Sequence, residues 1–193
     1  MLQPIFRWGK ILFNRFLPFG LAWVIVCAIA VQPAWASAND DRFDGNIFAL
    51  YAGNGSLVPA KTTLSEAFDR SRVALLVFFL DDSKDCKQFV SVISQLQRYY
   101  GMAADFIPVN VDTLASTASN NPTDPRYYYQ GYIPQTVLID QSGNVVLDQT
   151  GQVSFETLDD QLREVFDLLP RTESVELKRR SFNEFNDELV SPE

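Results

Sequence analysis

The chain is predicted to fold as an α/β domain with a central mixed sheet flanked by helices. Three observations carry this expectation. Residues 73–80 are an almost unbroken apolar run, as in a central strand covered on both faces. Phe89, Val90, Ile93, Leu96 and Tyr100 then fall at helical spacing within 85–100, and 105–111 returns as a strand. A strand–helix–strand run implies parallel pairing with a right-handed crossover. The sheet becomes mixed because 135–140 and 145–150 bracket Gln141-Ser142-Gly143-Asn144, a hairpin signal.

Taken from the start, residues 1–36 read as an export signal or a membrane anchor. Arg7, Lys10 and Arg15 form a basic start without acids, 17–31 is apolar, and Ala34-Trp35-Ala36 has the small-x-small pattern that precedes cleavage. The apolar stretch is also about long enough to span a bilayer, so cleavage and anchoring both stay open. Either way the rest of the chain is expected on the far side of the membrane. Residues 37–61 are read as a polar linker with a weak edge strand at 46–51 and an Ala-Gly-Asn-Gly turn. Thr63-Leu64-Ser65-Glu66 has the spacing of a capping box, which predicts a short helix from Leu64 to about Arg70. Residues 113–126, rich in Ser, Thr, Asn and Pro, are expected to be an exposed loop. A last helix is predicted over 155–169, with Phe155, Leu158, Leu162, Val165, Phe166 and Leu169 on one face and Pro170 as its stop. The folded domain is thus placed at 62–170. The remainder, 171–193, is a charged tail with Phe182, Phe185 and Leu189 at helical spacing.

Composition narrows the chemistry. In 193 residues, 47% hydrophobic content with 15 Phe and 7 Tyr is ample for one core. The chain has no histidine, which removes Ser-His-Asp and Cys-His catalysis and the commonest metal ligand, so neither a metal nor a cofactor is expected. Cys27 lies in the apolar run and reads as filler; beyond residue 36 only Cys86 remains, and an internal disulfide is impossible. Without Arg7, Lys10 and Arg15 the 16 basic residues become 13 against 24 acids, a net charge of −11. Such a domain is repelled by nucleic acid and by anionic lipid heads, which leaves protein partners.

The chemistry-bearing motif is Val-Ala-Leu-Leu-Val-Phe-Phe-Leu-Asp-Asp-Ser-Lys-Asp-Cys-Lys-Gln-Phe over 73–89, an apolar strand, a polar turn and a helix start with one cysteine. About fifty residues on stands Gly-Tyr-Ile-Pro-Gln-Thr-Val-Leu-Ile-Asp over 131–140. Together these resemble thioredoxin, where a strand runs into a Trp-Cys-x-x-Cys-Lys turn that faces a cis-proline loop. Aligned on Cys86 and Lys87, Ser83 stands at the place of the attacking cysteine, Asp82 at that of the tryptophan and Asp85 at that of the turn proline. The resemblance covers roughly 62–169 and implies a thioredoxin-like fold with Pro134 in a cis bond.

It also implies lost redox chemistry. Disulfide exchange needs an attacking thiolate and a second thiol to resolve the mixed disulfide, and a serine hydroxyl replaces neither. Asp81, Asp82 and Asp85 disfavour a thiolate at Cys86, with Lys84 and Lys87 a partial offset. Cys86 is then either an inert half-buried thiol or a monothiol that forms mixed disulfides or is oxidised. Asp81, Ser83 and Asp85 have the oxygen spacing of a calcium loop, but Cys86 replaces its turn glycine and Val92 its closing acid. Tyr127, Tyr128, Tyr129 and Tyr132 read either as packing of a short helix on the sheet or as an exposed aromatic surface beside the groove.

The layout further resembles the cyanobacterial thylakoid membrane photosystem I accumulation factors. That likeness rests on the leader, on Asp-Arg-Phe-Asp-Gly-Asn-Ile-Phe-Ala-Leu-Tyr-Ala-Gly-Asn-Gly-Ser-Leu-Val-Pro over 41–59, on the degenerate turn, and on Arg-Tyr-Tyr-Tyr-Gln-Gly-Tyr-Ile-Pro over 126–134. It implies a membrane-associated factor with its soluble domain on the lumenal side of the thylakoid, or the periplasmic side of the plasma membrane. The client would be a photosystem I subunit or assembly factor. The groove expected to hold it runs between Asp82, Ser83, Lys84, Asp85 and Cys86 on one wall and Tyr132, Ile133 and Pro134 on the other. The alternative is a monothiol disulfide-exchange enzyme or redox sensor that uses Cys86.

Overall fold

The structure is a computed structural model that describes residues 37–174. The leader predicted over 1–36 and all but the first four residues of the predicted tail lie outside the described residues. The described part has a four-stranded sheet in the order β2-β1-β3-β4. β1 (Val73–Phe79) runs parallel to β2 (Ala104–Asn110) and antiparallel to β3 (Gln135–Ile139), which pairs antiparallel with β4 (Val145–Thr150). The mixed sheet expected from the sequence is therefore present.

Every residue of β1 is buried, and alternation divides its side chains between two cores. Val73, Leu75, Val77 and Phe79 pack with Phe89, Val90, Ile93 and Leu96 of α3 (Lys84–Tyr100) and with Leu158 and Leu162 of α4 (Phe155–Val165). Ala74, Leu76 and Phe78 pack on the other face with Leu64 and Ala67 of α2 (Leu64–Asp69), Ile107, Val137, Ile139 and Tyr128. The capping box forms as read: Thr63 Oγ1 accepts from the Glu66 amide at 3.2 Å, and Glu66 Oε2 accepts from the Thr63 amide at 2.8 Å. Residues 114–124 form the expected loop, between single turns at Val111–Thr113 and Pro125–Tyr127.

Two sequence expectations are corrected. The segment read as an edge strand at 46–51 is a helix, α1 (Ile47–Leu50), with Asn46 Oδ1 accepting from the Ala49 amide at 3.0 Å. Ile47 and Phe48, adjacent rather than alternate, are both fully buried; Phe48 meets Phe79 edge to face at 5.1 Å between ring centroids. Side chains on opposite faces of a strand could not both enter one core, whereas one turn of helix turns both inward. The final helix ends at Val165 and not at Leu169. Asp167 has φ +52°, the Leu168 amide donates to Arg163 O at 2.8 Å, and the Arg163 guanidinium reaches Leu169 O at 2.8 Å. The chain thus turns back against the helix four residues before Pro170, and Leu168 and Leu169 are exposed.

Candidate functional site

Where β1 ends, Ser83 caps α3: its Oγ accepts from the Cys86 amide at 3.3 Å. The residue at the place of an attacking cysteine thus begins the helix. Cys86, one turn in, is 1% exposed and belongs to the core between β1 and the helices. Burial pushes its thiol above the ordinary range; hydrogen bonds from Ser83 and the Leu80 backbone pull the other way, and Asp85 and Asp81 raise it further. The thiol expected to be half-buried is fully buried, and its environment disfavours the thiolate.

Lys87, read as a partial offset to these acids, is bonded to a different pair. Its side chain is fully buried and turned away into the segment 38–44, where Nζ donates to Asp40 O at 3.1 Å, Asp40 Oδ1 at 3.2 Å, Arg42 O at 2.5 Å and Asp44 Oδ2 at 2.9 Å. Burial alone would lower the ammonium's pKa, but hydrogen bonds to Asp44 and Asp40 hold it above the ordinary value. Tyr51 donates its hydroxyl to Asp44 Oδ2 at 2.6 Å and lays its ring 5.6 Å from Nζ. Two more bonds fix the segment: the Lys84 amide donates to Asp41 Oδ1 at 2.7 Å, and Gln88 Nε2 to Asn39 Oδ1 at 3.2 Å. The polar linker of the sequence reading is therefore a strap across the amino end of α3. Asp81 joins the neighbouring parts, accepting from the Ile47 amide at 3.1 Å and from Asn110 Nδ2 at 3.0 Å.

On the other side of the turn, Ile133–Pro134 is a cis peptide, as the resemblance implied, and Val58–Pro59 is a second that the sequence did not signal. The proline loop is tied to the turn through β4. Gly151, at φ +86°, donates its amide to Pro134 O at 2.7 Å, and Gln152 beside it bridges Asp85 Oδ1 at 3.1 Å and Gln88 Oε1 at 3.0 Å. Pro134 is buried, and half-buried Ile133 packs against both cores. Asp82, Lys84, Asp85 and Tyr132 are exposed, Tyr132 at 68%.

The tyrosine cluster divides between its two readings. Tyr128 is buried and Tyr129 leans on Phe78 at 5.1 Å, whereas Tyr127 and Tyr132 are solvent-facing. Below the loop the buried Gln135 amide donates to Tyr128 O and Asp148 Oδ1, each at 2.8 Å, and its oxygen accepts from the Gln130 amide at 2.9 Å, which fixes 128–130 on the sheet. Among the described residues no group of three or more His, Cys, Asp or Glu is placed to hold a metal ion. No described helix is long and apolar enough to cross a membrane.

A family model for the thioredoxin-like domain matches residues 60–166. The chain is 53% identical over 157 residues to the thylakoid membrane protein slr1796 of Synechocystis sp., across 81% of this chain and 78% of that protein. It is 28% identical over 99 residues to a thiol:disulfide interchange protein TxlA homolog of the same organism, about half of each chain. Among solved structures, thioredoxin-2 of the malaria parasite is similar at 22% identity and TM-score 0.41, over 48% of this chain and 82% of that one. Fasciola hepatica thioredoxin is similar at 19% and 0.41, over 52% and 89%. With the family model matched over most of the described domain, the chain belongs to the thioredoxin-like family and is a homologue of a thylakoid membrane protein.

Proposed function

We propose that this chain is a non-catalytic thioredoxin-like factor that holds a protein client at the thylakoid membrane and supports the accumulation of photosystem I. The observation that carries this reading is a site with both walls in place and no working thiol between them. Ser83 caps α3, the Ile133–Pro134 peptide is cis, and Cys86 is buried with its thiol pushed up. The client lies as an extended segment between the turn formed by Asp82, Ser83, Lys84, Asp85 and Cys86 and the loop of Tyr132, Ile133 and Pro134. Its identity is proposed as a photosystem I subunit or assembly factor, and the domain's place as the lumenal face, or the periplasmic face if the plasma membrane is used. Similarity to a thylakoid membrane protein supports the location, and the sequence resemblance supports the photosystem.

The test is complementation in a cyanobacterial host lacking its own copy. Cys86→Ser is expected to keep photosystem I at the level given by the unmodified chain, and Tyr132→Ala or Ile133→Ala to lower it. The reverse pattern overturns the proposal. Rapid capture of an oxidised dithiol substrate by Cys86 at neutral pH, seen as a mixed disulfide by mass, would establish the monothiol alternative instead.

A further inference from the structure

The strap and α3 are joined by hydrogen bonds that each use a side chain on at least one partner. The strap's large apolar side chain, Phe43, faces solvent at 68% exposure, so among the described residues it gives the strap no sizeable apolar anchor. Four of these six bonds meet at one atom, Nζ of Lys87. The Tyr51 hydroxyl adds a bond to Asp44 at 2.6 Å, so these contacts of the strap among the described residues are polar and centre on this ammonium, and a segment held in that way can leave as a unit without disturbing either core.

We propose that residues 38–44 are a releasable latch on the amino end of α3, held shut by the Lys87 ammonium. Opening it changes the charge this end of the helix presents. Closed, the face carries Asp40, Asp41 and Asp44, with Lys87 enclosed and the Lys84 amide occupied. Open, the three carboxylates depart, and the Lys87 ammonium and the Lys84 amide face solvent beside the Lys84 side chain. An acidic segment of another chain then meets the same donors that the strap uses. The strap lies on the helix that forms one wall of the groove, so the latch rests on the client-holding reading for its role. Its existence does not.

The test uses the full chain and no client, so its failure is separate from failure of that reading. Trypsin cuts after Arg42, whose carbonyl is a Lys87 acceptor, and a small amine-acylating reagent reports whether Lys87 is uncovered; both are followed by mass spectrometry. When opening and closing are fast relative to the cut, the rate reports the open population. The unmodified chain should be cut after Arg42 at least about tenfold more slowly than a free peptide of residues 37–46. Asp44→Asn should raise both Arg42 cutting and Lys87 acylation by about tenfold, while cutting after Arg72 and Arg163 stays slow. Asp40→Asn, which alters a carboxylate already 42% exposed, should act in the same sense to a smaller extent. Unchanged rates in both variants overturn the latch. So does a parallel rise at Arg72 and Arg163, since the strap would then open only with the whole domain.

Discussion

Lys87→Met tests whether the enclosed ammonium organises this end of the fold. Methionine fills a similar volume but gives the strap no donor. Two carboxylates, two backbone carbonyls and the Tyr51 ring lose a cation. Removing one partner of a buried ion pair costs roughly 3–5 kcal/mol when the other charge stays buried. Here Asp40 is already 42% exposed and can rehydrate, whereas Asp44 is 9% exposed and keeps the Tyr51 hydroxyl, at 2.6 Å, and the Arg42 guanidinium, at 3.3 Å. That places the expected loss at the lower end, about 3 kcal/mol. At roughly 2–4 °C per kcal/mol for a chain of this size, the melting temperature should fall by about 6–12 °C. The assay is thermal unfolding followed by circular dichroism. Adding Asp44→Asn closes a double-mutant cycle, and the pair should be less destabilised than the sum of the singles, because no orphaned charge remains. A melting temperature within about 2 °C of the unmodified chain would refute the reasoning, since it would mean that water replaces the cage without loss.

Three further outcomes follow from other parts of the fold. Tyr100 donates to Asp159 Oδ1 at 2.5 Å, and burial first, then that bond, raise its pKa above the ordinary 10.0. Its contribution is full below pH 10 and is lost as pH climbs through the raised value, so Tyr100→Phe should cost about 1.5–3 kcal/mol at neutral pH and flatten the alkaline fall in stability, as urea titrations at pH 7 to 11 would record. Phe48→Ala should cost about 3–5 kcal/mol in the same titration, because removing a fully buried ring packed against Phe79 of β1 leaves a cavity. Ser83→Ala should cost about 0.5–2 kcal/mol through the lost cap. It should also move the pH midpoint of Cys86 alkylation upward, since the Ser83 hydrogen bond is one of the groups that lower that thiol; a midpoint that stays or falls would contradict the assignment.

The core elements were legible because each carries its own period. Residues 73–80 have the unbroken apolar run of a strand covered on both faces, which the buried strand Val73–Phe79 matches, and the capping box marked α2. The cis proline at 134 was legible through resemblance alone. Misreadings arose where the chain departs from a period. Asn46-Ile47-Phe48 has too few residues to distinguish a strand from one helical turn, and what decides it is a core partner, Phe79, 31 positions on. The end of α4 was misplaced because Leu168 and Leu169 continue the apolar spacing, while Asp167 in a left-handed conformation and the reach of Arg163 to Leu169 O turn the chain away. Neither departure leaves a mark in hydrophobic pattern, which records burial and not hydrogen-bond geometry.

The strap is the deeper omission, because its signal was present in the wrong category. Asp40, Asp41 and Asp44 read as solvated linker charge, and Lys87 as a cation beside the thiol. A buried lysine demands acceptors, and its neighbours three and four positions away along the helix, Ser83, Lys84, Val90 and Ser91, include no acid, so its carboxylate partners had to come from elsewhere in the chain. That demand is physical and could have been posed from the sequence once the turn was placed on a helix. It also accounts for the turn as a whole. Ser83 supplies a cap, Asp85 receives Gln152, and Lys87 holds the strap, so three positions of the turn carry structural bonds where thioredoxin carries redox chemistry. To restore exchange, a second cysteine at 83 would have to give up the helix cap, and Cys86 would have to leave a site in which it is 1% exposed. Ser83→Cys alone is therefore expected to yield a dithiol pair that turns over insulin disulfides no faster than the unmodified chain, and turnover at the rate of a dithiol thioredoxin would show that one residue, and not the surrounding structure, withholds the activity.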